Sequence, residues 1–164
     1  LDGVVVPNNA LLGKRGQGFT IMMETLNNGR LSIGAMGLGH AKGALDLATE
    51  YAKERRTFGK SLIEHQSIAF KLSDMALRVE AGENMLYKAV WQKQNKQDFR
   101  KLSSMSKLYC SEAAEFCVRE GQQIFGGYGL MKEYDIERHY RDAALLRIGE
   151  GTSEIQRLII SRML

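Results

Sequence analysis

The 164-residue sequence is 44% apolar and 26% charged, the mix of an ordinary globular domain large enough to bury a core without disulfides or metals. Its net charge of +4 permits an acidic partner, but no run of five like charges marks a basic tail, and a solvated basic surface accounts for the balance. No apolar run approaches the roughly 18 residues of a membrane span, and no basic segment followed by an apolar core opens the chain, so neither a span nor a signal peptide is expected.

Val4, Val5 and Val6 are β-branched and run into Pro7, Asn8 and Asn9, which predicts a short strand ending in a turn. One strand has nothing to pair with, so residues 1–15 read as the end of a preceding β domain and a linker. Pro7 is the sole proline, and the later segments are rich in good helix formers, which predicts an all-α fold for residues 16–164. A first helix is expected from Gly18 to Arg55, with apolar residues from Phe19 and Met22 to Ala48 at three-and-four spacing. Gly29, Gly34, Gly37, Gly39 and Gly43 lie inside it, and each weakens the helix by about 1 kcal/mol relative to alanine. That loss points to close approach of a neighbouring helix or a ligand. A second helix is expected from Ile63 to Gln94, with Ile68, Leu72, Met75, Ala76, Val79 and Leu86 on one stripe. A third runs from Phe99 to Ile124 through Leu102, Met105, Tyr109, Ala113 and Phe116, and carries Cys110 and Cys117 as buried free thiols. Two shorter helices follow, Lys132 to Asp142 and Thr152 to Met163, the latter with Thr152 or Ser153 as N-cap. Three long amphipathic helices with short connections predict an antiparallel, up-and-down, four-helix-bundle-like domain with short extra helices.

Several signals carry no chemistry. Phe58-Gly59-Lys60-Ser61 resembles the end of a phosphate-binding loop, but the position of its first glycine is Glu54 and no strand precedes it. Gly37-Leu38-Gly39 lies mid-helix, not between strand and helix. His40, His65 and His139 are scattered without ligand spacing, so no metal site is expected. Three stretches are harder to set aside. Arg55, Arg56, Thr57 and Phe58, followed by His65 and Gln66, place guanidinium forks, a hydroxyl and an aromatic ring at a helix end; they suit phosphate oxygens or simply complement the helix dipole. Gln123, Ile124, Phe125, Gly126, Gly127 and Gly129 put three glycines at the next helix end, more than a plain C-cap needs. Glu150 sits between Gly149 and Gly151 ahead of Thr152, Ser153 and Glu154, either a positioned base or a dipole-complementing acid.

Taken in order, Arg55-x-Thr57-Phe58-Gly59-Lys60 with His65-Gln66, Gln123-Ile124-Phe125-Gly126-Gly127, and Glu150-Gly151-Thr152-Ser153-Glu154-Ile155-Gln156-Arg157 resemble the acyl-CoA dehydrogenase family. Val6-Pro7 with Leu11-Leu12-Gly13, Leu26-Asn27-Asn28-Gly29-Arg30 and Glu137-Arg138-His139-Tyr140-Arg141-Asp142 extend the likeness across the whole chain. The resemblance implies the C-terminal helical domain of a longer flavoenzyme of fatty acid β-oxidation, with an N-terminal helical domain and a middle β domain. Complete family members bind FAD between the β domain and this one, partly across a dimer interface, so the chain by itself is expected to be inactive. By resemblance, Arg55, Thr57, Phe58, His65 and Gln66 contact the cofactor. Gln123, Ile124, Gly126 and Gly127 hold its adenosine side from the other subunit, and Thr152 and Glu154 also match cofactor positions. Asn27, Arg30 and Gly151 match substrate positions.

The implied reaction oxidises an acyl-CoA to a 2-enoyl-CoA: a carboxylate removes the α-proton and a hydride leaves the β-carbon for FAD. Glu150 is the implied base. Some relatives carry the base on the first long helix at the position of Gly29, which has no side chain here. Many carry an aromatic residue where this chain has Gly149, so acyl-chain length is not assigned. The implied partners are acyl-CoA, an electron-transfer flavoprotein and further copies of the same chain as a dimer or tetramer, with no nucleic acid. The expected location is cytoplasmic, with the mitochondrial matrix as the alternative. An acyl-CoA oxidase-like flavoenzyme and a non-catalytic helical oligomerisation domain are the alternatives.

Overall fold

The computed structural model describes residues 2–164. Among the described residues five α-helices carry the fold: α1 (Gly18–Glu54), α2 (Gln66–Gln94), α3 (Arg100–Phe125), α4 (Ile136–Leu146) and α5 (Ser153–Ser161). Two strands of two residues each, β1 (Arg56–Thr57) and β2 (Lys60–Ser61), form an antiparallel hairpin between α1 and α2. The all-α expectation holds. The long helices begin and end within a few residues of where periodicity puts them. The fourth begins later than expected because residues 132–135 form bends and turns.

The expected strand at Val4 to Val6 is absent. These residues have no ladder partner among the described residues and are 60%, 95% and 63% exposed, so β-branched side chains alone do not make a strand. Phe19 and Met22, placed on the core stripe of the first helix, are 71% and 50% exposed; burial on α1 starts at Arg30 and Leu31. Ala76 is also exposed, while Leu72, Met75, Val79 and Leu86 are buried as the period requires.

The third helix departs most from its predicted stripe. Leu102, Met105, Tyr109 and Phe116 flank the core, and its buried line is Ser103, Ser106, Lys107, Cys110, Ala114 and Cys117. Small residues on that line let α1 and α3 approach closely. A Cβ on Gly37 would lie 2.8 Å from the Cys110 carbonyl carbon, and one on Gly34 would lie 3.5 Å from the Lys107 nitrogen. The glycines of α1 thus meet neighbours at 29, 34, 37 and 43, whereas Gly39 faces open space. Cys110 and Cys117 are free and fully buried, and burial pushes both thiols up to about 12.

Candidate active site

The segment after α4 turns sharply. Gly149 N–H donates to the Leu145 carbonyl at 2.9 Å and Ser153 N–H to the Arg147 carbonyl at 3.1 Å. Between them Glu150 (φ +57°) and Gly151 (φ +94°) are consecutive left-handed residues. Glycine adopts that conformation freely, but a glutamate does so at a cost of roughly 1–2 kcal/mol. Thr152 then caps α5, its hydroxyl oxygen accepting from Ile155 N–H at 3.4 Å. The turn swings the Glu150 side chain across α1 at Gly29. A Cβ on Gly29 would sit 2.6 Å from Glu150 Oε2 and 2.8 Å from its Cδ, so the carboxylate occupies the space a side chain would fill. Glu150 Oε2 is buried and accepts no hydrogen bond, an unusual state for a carboxylate oxygen.

Two cations sit near this carboxylate. Arg30 is 5% exposed; its Nη1 donates to Asn27 Oδ1 at 2.6 Å. Burial lowers its pKa, partly offset by the charge of Glu150. Lys107 is fully buried on α3, and burial, reinforced by Arg30, lowers its pKa against the opposing charge of Glu150. Its Nζ donates to the Gly151 carbonyl at 2.7 Å. Gln156 Nε2, from α5, donates to that carbonyl at 2.9 Å and to the Glu150 carbonyl at 3.1 Å. A Cβ on Gly149 would meet nothing closer than the Leu145 carbonyl at 3.5 Å, so packing does not demand glycine there.

The remaining expected residues fall in two other places. Arg55 ends α1 and the hairpin follows, turning through Phe58 (φ +50°) and Gly59 (φ +83°), the geometry of a tight two-residue turn. Phe58 stands 98% exposed at the tip. Thr57 Oγ1 is 3.2 Å from His65 Nε2, and Gln66 opens α2 on the surface. Arg55, Thr57, Ile124, Gly126, Gly127 and Tyr128 line one cleft of 410 Å³, with the Arg55 guanidinium 5.7 Å from the Tyr128 ring centroid. Ile124 is 4% exposed and belongs to the core, so it offers the cleft little more than a wall; Gln123 beside it is exposed. Of the three glycines here, only Gly126 is left-handed, at φ +60°. Cβ atoms on Gly126 and Gly127 would meet nothing within 4 Å, so bare backbone faces the cleft. A guanidinium fork, a hydroxyl and open peptide groups suit a phosphate-bearing ligand.

Thr152 and Glu154 line a separate concavity of 340 Å³ with Glu115, Arg147 and Ser153. Hydrogen bonds from its own backbone N–H and from Thr152 hold the Glu154 carboxyl below its ordinary value. A concavity of 680 Å³ between α1 and α2 contains none of the expected site residues. Among the described residues no three His, Cys, Asp or Glu side chains converge as a metal site would need, and no helix is long and apolar enough to cross a membrane. Sequence reasoning missed Lys107 and Gln156. A lysine three and four residues from Ser103, Ser104, Cys110 and Ser111, on a helix face of small residues, was the available signal.

Residues 16–164 match the family model described as "Acyl-CoA dehydrogenase, C-terminal domain". The chain is 47% identical over 164 residues to the probable acyl-CoA dehydrogenase YngJ of Bacillus subtilis (strain 168), covering 100% of this chain and 43% of that protein. It is 44% identical over 164 residues to the caffeyl-CoA reductase-Etf complex subunit CarC of Acetobacterium woodii, covering 100% and 43%. The butyryl-CoA dehydrogenase structure from Megasphaera elsdenii superposes with a TM-score of 0.94 at 44% identity, covering 96% of this chain and 41% of that one. The chain therefore spans about two fifths of the length of these relatives. It belongs to the acyl-CoA dehydrogenase family, as that family's C-terminal domain.

Proposed function

We propose that the complete protein oxidises an acyl-CoA thioester to the 2-enoyl-CoA, with Glu150 removing the α-proton. The observation that carries this reading is the Glu150 carboxylate laid over the bare backbone of Gly29, with one buried oxygen unpartnered. A free lone pair on a positioned carboxylate is what a general base needs. Arg30, tied to Asn27, is a buried positive charge close to that carboxylate. Glu154 is a poor competitor, since it is exposed at the start of α5 and lines a separate concavity. FAD, when bound, would accept the hydride from the β-carbon.

The residues fit a flavin dinucleotide in two places. Arg55, Thr57, Gly126 and Gly127 would hold a phosphate-bearing portion in the 410 Å³ cleft. Thr152 and Glu154 would meet the cofactor on the side of the base. The two sets line different cavities, which supports a site completed by another domain and by a second copy of the chain. On this reading residues 16–164 are the helical domain, and residues 1–15 lead in from a β domain. The likeness to a subunit of an Etf complex supports an electron-transfer flavoprotein as oxidant of the reduced enzyme.

Glu150→Gln in the complete enzyme tests the assignment. The amide keeps the shape of the side chain but cannot take the proton. Anaerobic flavin bleaching by saturating acyl-CoA should slow by at least about 10²-fold, the low end of general-base catalysis. Glu154→Gln is the control and should bleach normally. Near-normal bleaching in Glu150→Gln removes Glu150 from the role.

A further inference from the structure

Lysine is almost never fully buried unless paired, and Lys107 is fully buried without an ion pair among the described residues. Its hydrogen-bond partner is the carbonyl of Gly151, 44 residues along the chain. Gln156 is also fully buried, and it too spends its donor end on this turn while its Oε1 accepts nothing. Donors near a helix C-terminus ordinarily satisfy the last helical carbonyls. These two reach past the end of α4 at Leu146 to the carbonyls of Glu150 and Gly151. Those carbonyls belong to the two consecutive left-handed residues, one of them a glutamate that does not adopt this conformation by preference. If filling space were their only task, apolar side chains of similar length would serve at lower desolvation cost.

We propose that Lys107 and Gln156 are positioning residues for the reaction: from α3 and α5 they lock the Glu150–Gly151 turn so that the Glu150 carboxylate lies over Gly29. The proposal rests on the reading of Glu150 as the base. Strain at a functional position persists only where surrounding contacts over-determine it, and two donors on one carbonyl with a third bond to its neighbour do so.

The test uses Lys107→Met and Gln156→Met in the complete flavoenzyme, with bleaching rate expressed per bound flavin, acyl-CoA Kd and the α-deuterium isotope effect measured together. A displacement of about 1 Å at the base predicts a per-flavin rate lower by about 10–10²-fold. It also predicts a larger isotope effect and a Kd changed by less than about threefold. In the complete enzyme, hydrogen exchange across residues 150–153 should quicken in both variants while α1 and α3 keep their protection. A per-flavin rate and isotope effect at the parent values, with only flavin content or Tm reduced, overturns the proposal. Should Lys107→Met fail to fold, Gln156→Met decides alone. Glu150→Gln is run alongside. Normal bleaching there fells the base assignment, whereas a dead Glu150→Gln beside parent-like Lys107 and Gln156 variants fells only the positioning role.

Discussion

Gly29→Ala separates catalysis from stability with a single methyl group. An alanine Cβ at 29 would sit 2.6 Å from Glu150 Oε2, against 3.4–4 Å for ordinary contact, so the carboxylate must retreat by about 1 Å. The obstacle is the far end of a rotatable side chain, and turning it off its preferred rotamer costs about 0.5–1.5 kcal/mol. Replacing a mid-helix glycine by alanine returns about 1 kcal/mol. The two nearly cancel, and Tm should change by no more than about 2–4 °C for a domain of this size. On the role proposed for Glu150, the carboxylate has moved by the distance that can reduce a positioned reaction by about 10²-fold. Stopped-flow bleaching of the complete enzyme and thermal unfolding of the same preparation are the two assays. An unchanged bleaching rate would show that the carboxylate does not act from above Gly29. A Tm loss well beyond the stated range would show that Glu150 cannot yield as described.

Gly37→Ala should do the reverse: its Cβ meets the Cys110 backbone carbonyl at 2.8 Å, neither helix can give way locally, and overpacking of about 1–3 kcal/mol should lower Tm by several degrees. Arg55→Lys, which keeps the charge and loses the planar fork, should speed flavin loss on dialysis of the complete enzyme with helicity unchanged; equal retention would count against the phosphate assignment. Cys110 and Cys117 should resist thiol reagents at pH 8 until denaturant is added, since burial holds both at about 12; rapid labelling of the native chain would contradict the packing. His139, at 2.9 Å from His40 across α1 and α4, has its pKa lowered by burial, then by His40 and Arg138. Below its ordinary value of about 6.5 the unfolded chain takes up a proton that the folded one refuses. Stability should therefore be complete above that pH and fall as pH drops through it towards the folded value. The urea midpoint should drop from pH 7.5 to 5.5, and less so in His139→Gln.

Helix positions were legible because the pattern is redundant: α1 alone repeats its apolar spacing over 37 residues with no proline to break it. What escaped was set by distant partners. On α3 the large residues Leu102, Met105, Tyr109 and Phe116 drew the eye, yet the buried line is the polar and small set next to them. Hydrophobicity does not reveal that Gly34 and Gly37 of α1 need small neighbours. The hairpin at Arg56 to Ser61 is too short for any period to register. Glu150 was visible through its flanking glycines, but the left-handed backbone falls on Glu150 itself and on Gly151, not on Gly149. The local sequence does not reveal that Lys107, 44 residues away, also holds this turn.

The Lys107–Gly151 bond also orders events during synthesis. A ribosome adds about 5–20 residues per second, so the 44 residues between them take roughly 2–9 s to make. Throughout that interval α3 carries an ammonium group on the face that must meet α1, with its acceptor not yet in existence. Sealing α3 against α1 before the C-terminal turn emerges would bury that charge without its acceptor. Closure of the seam around Lys107 and formation of the Glu150–Gly151 turn are thereby coupled, and a chain truncated before Gly151 is expected to be cleaved faster by proteases than the whole chain.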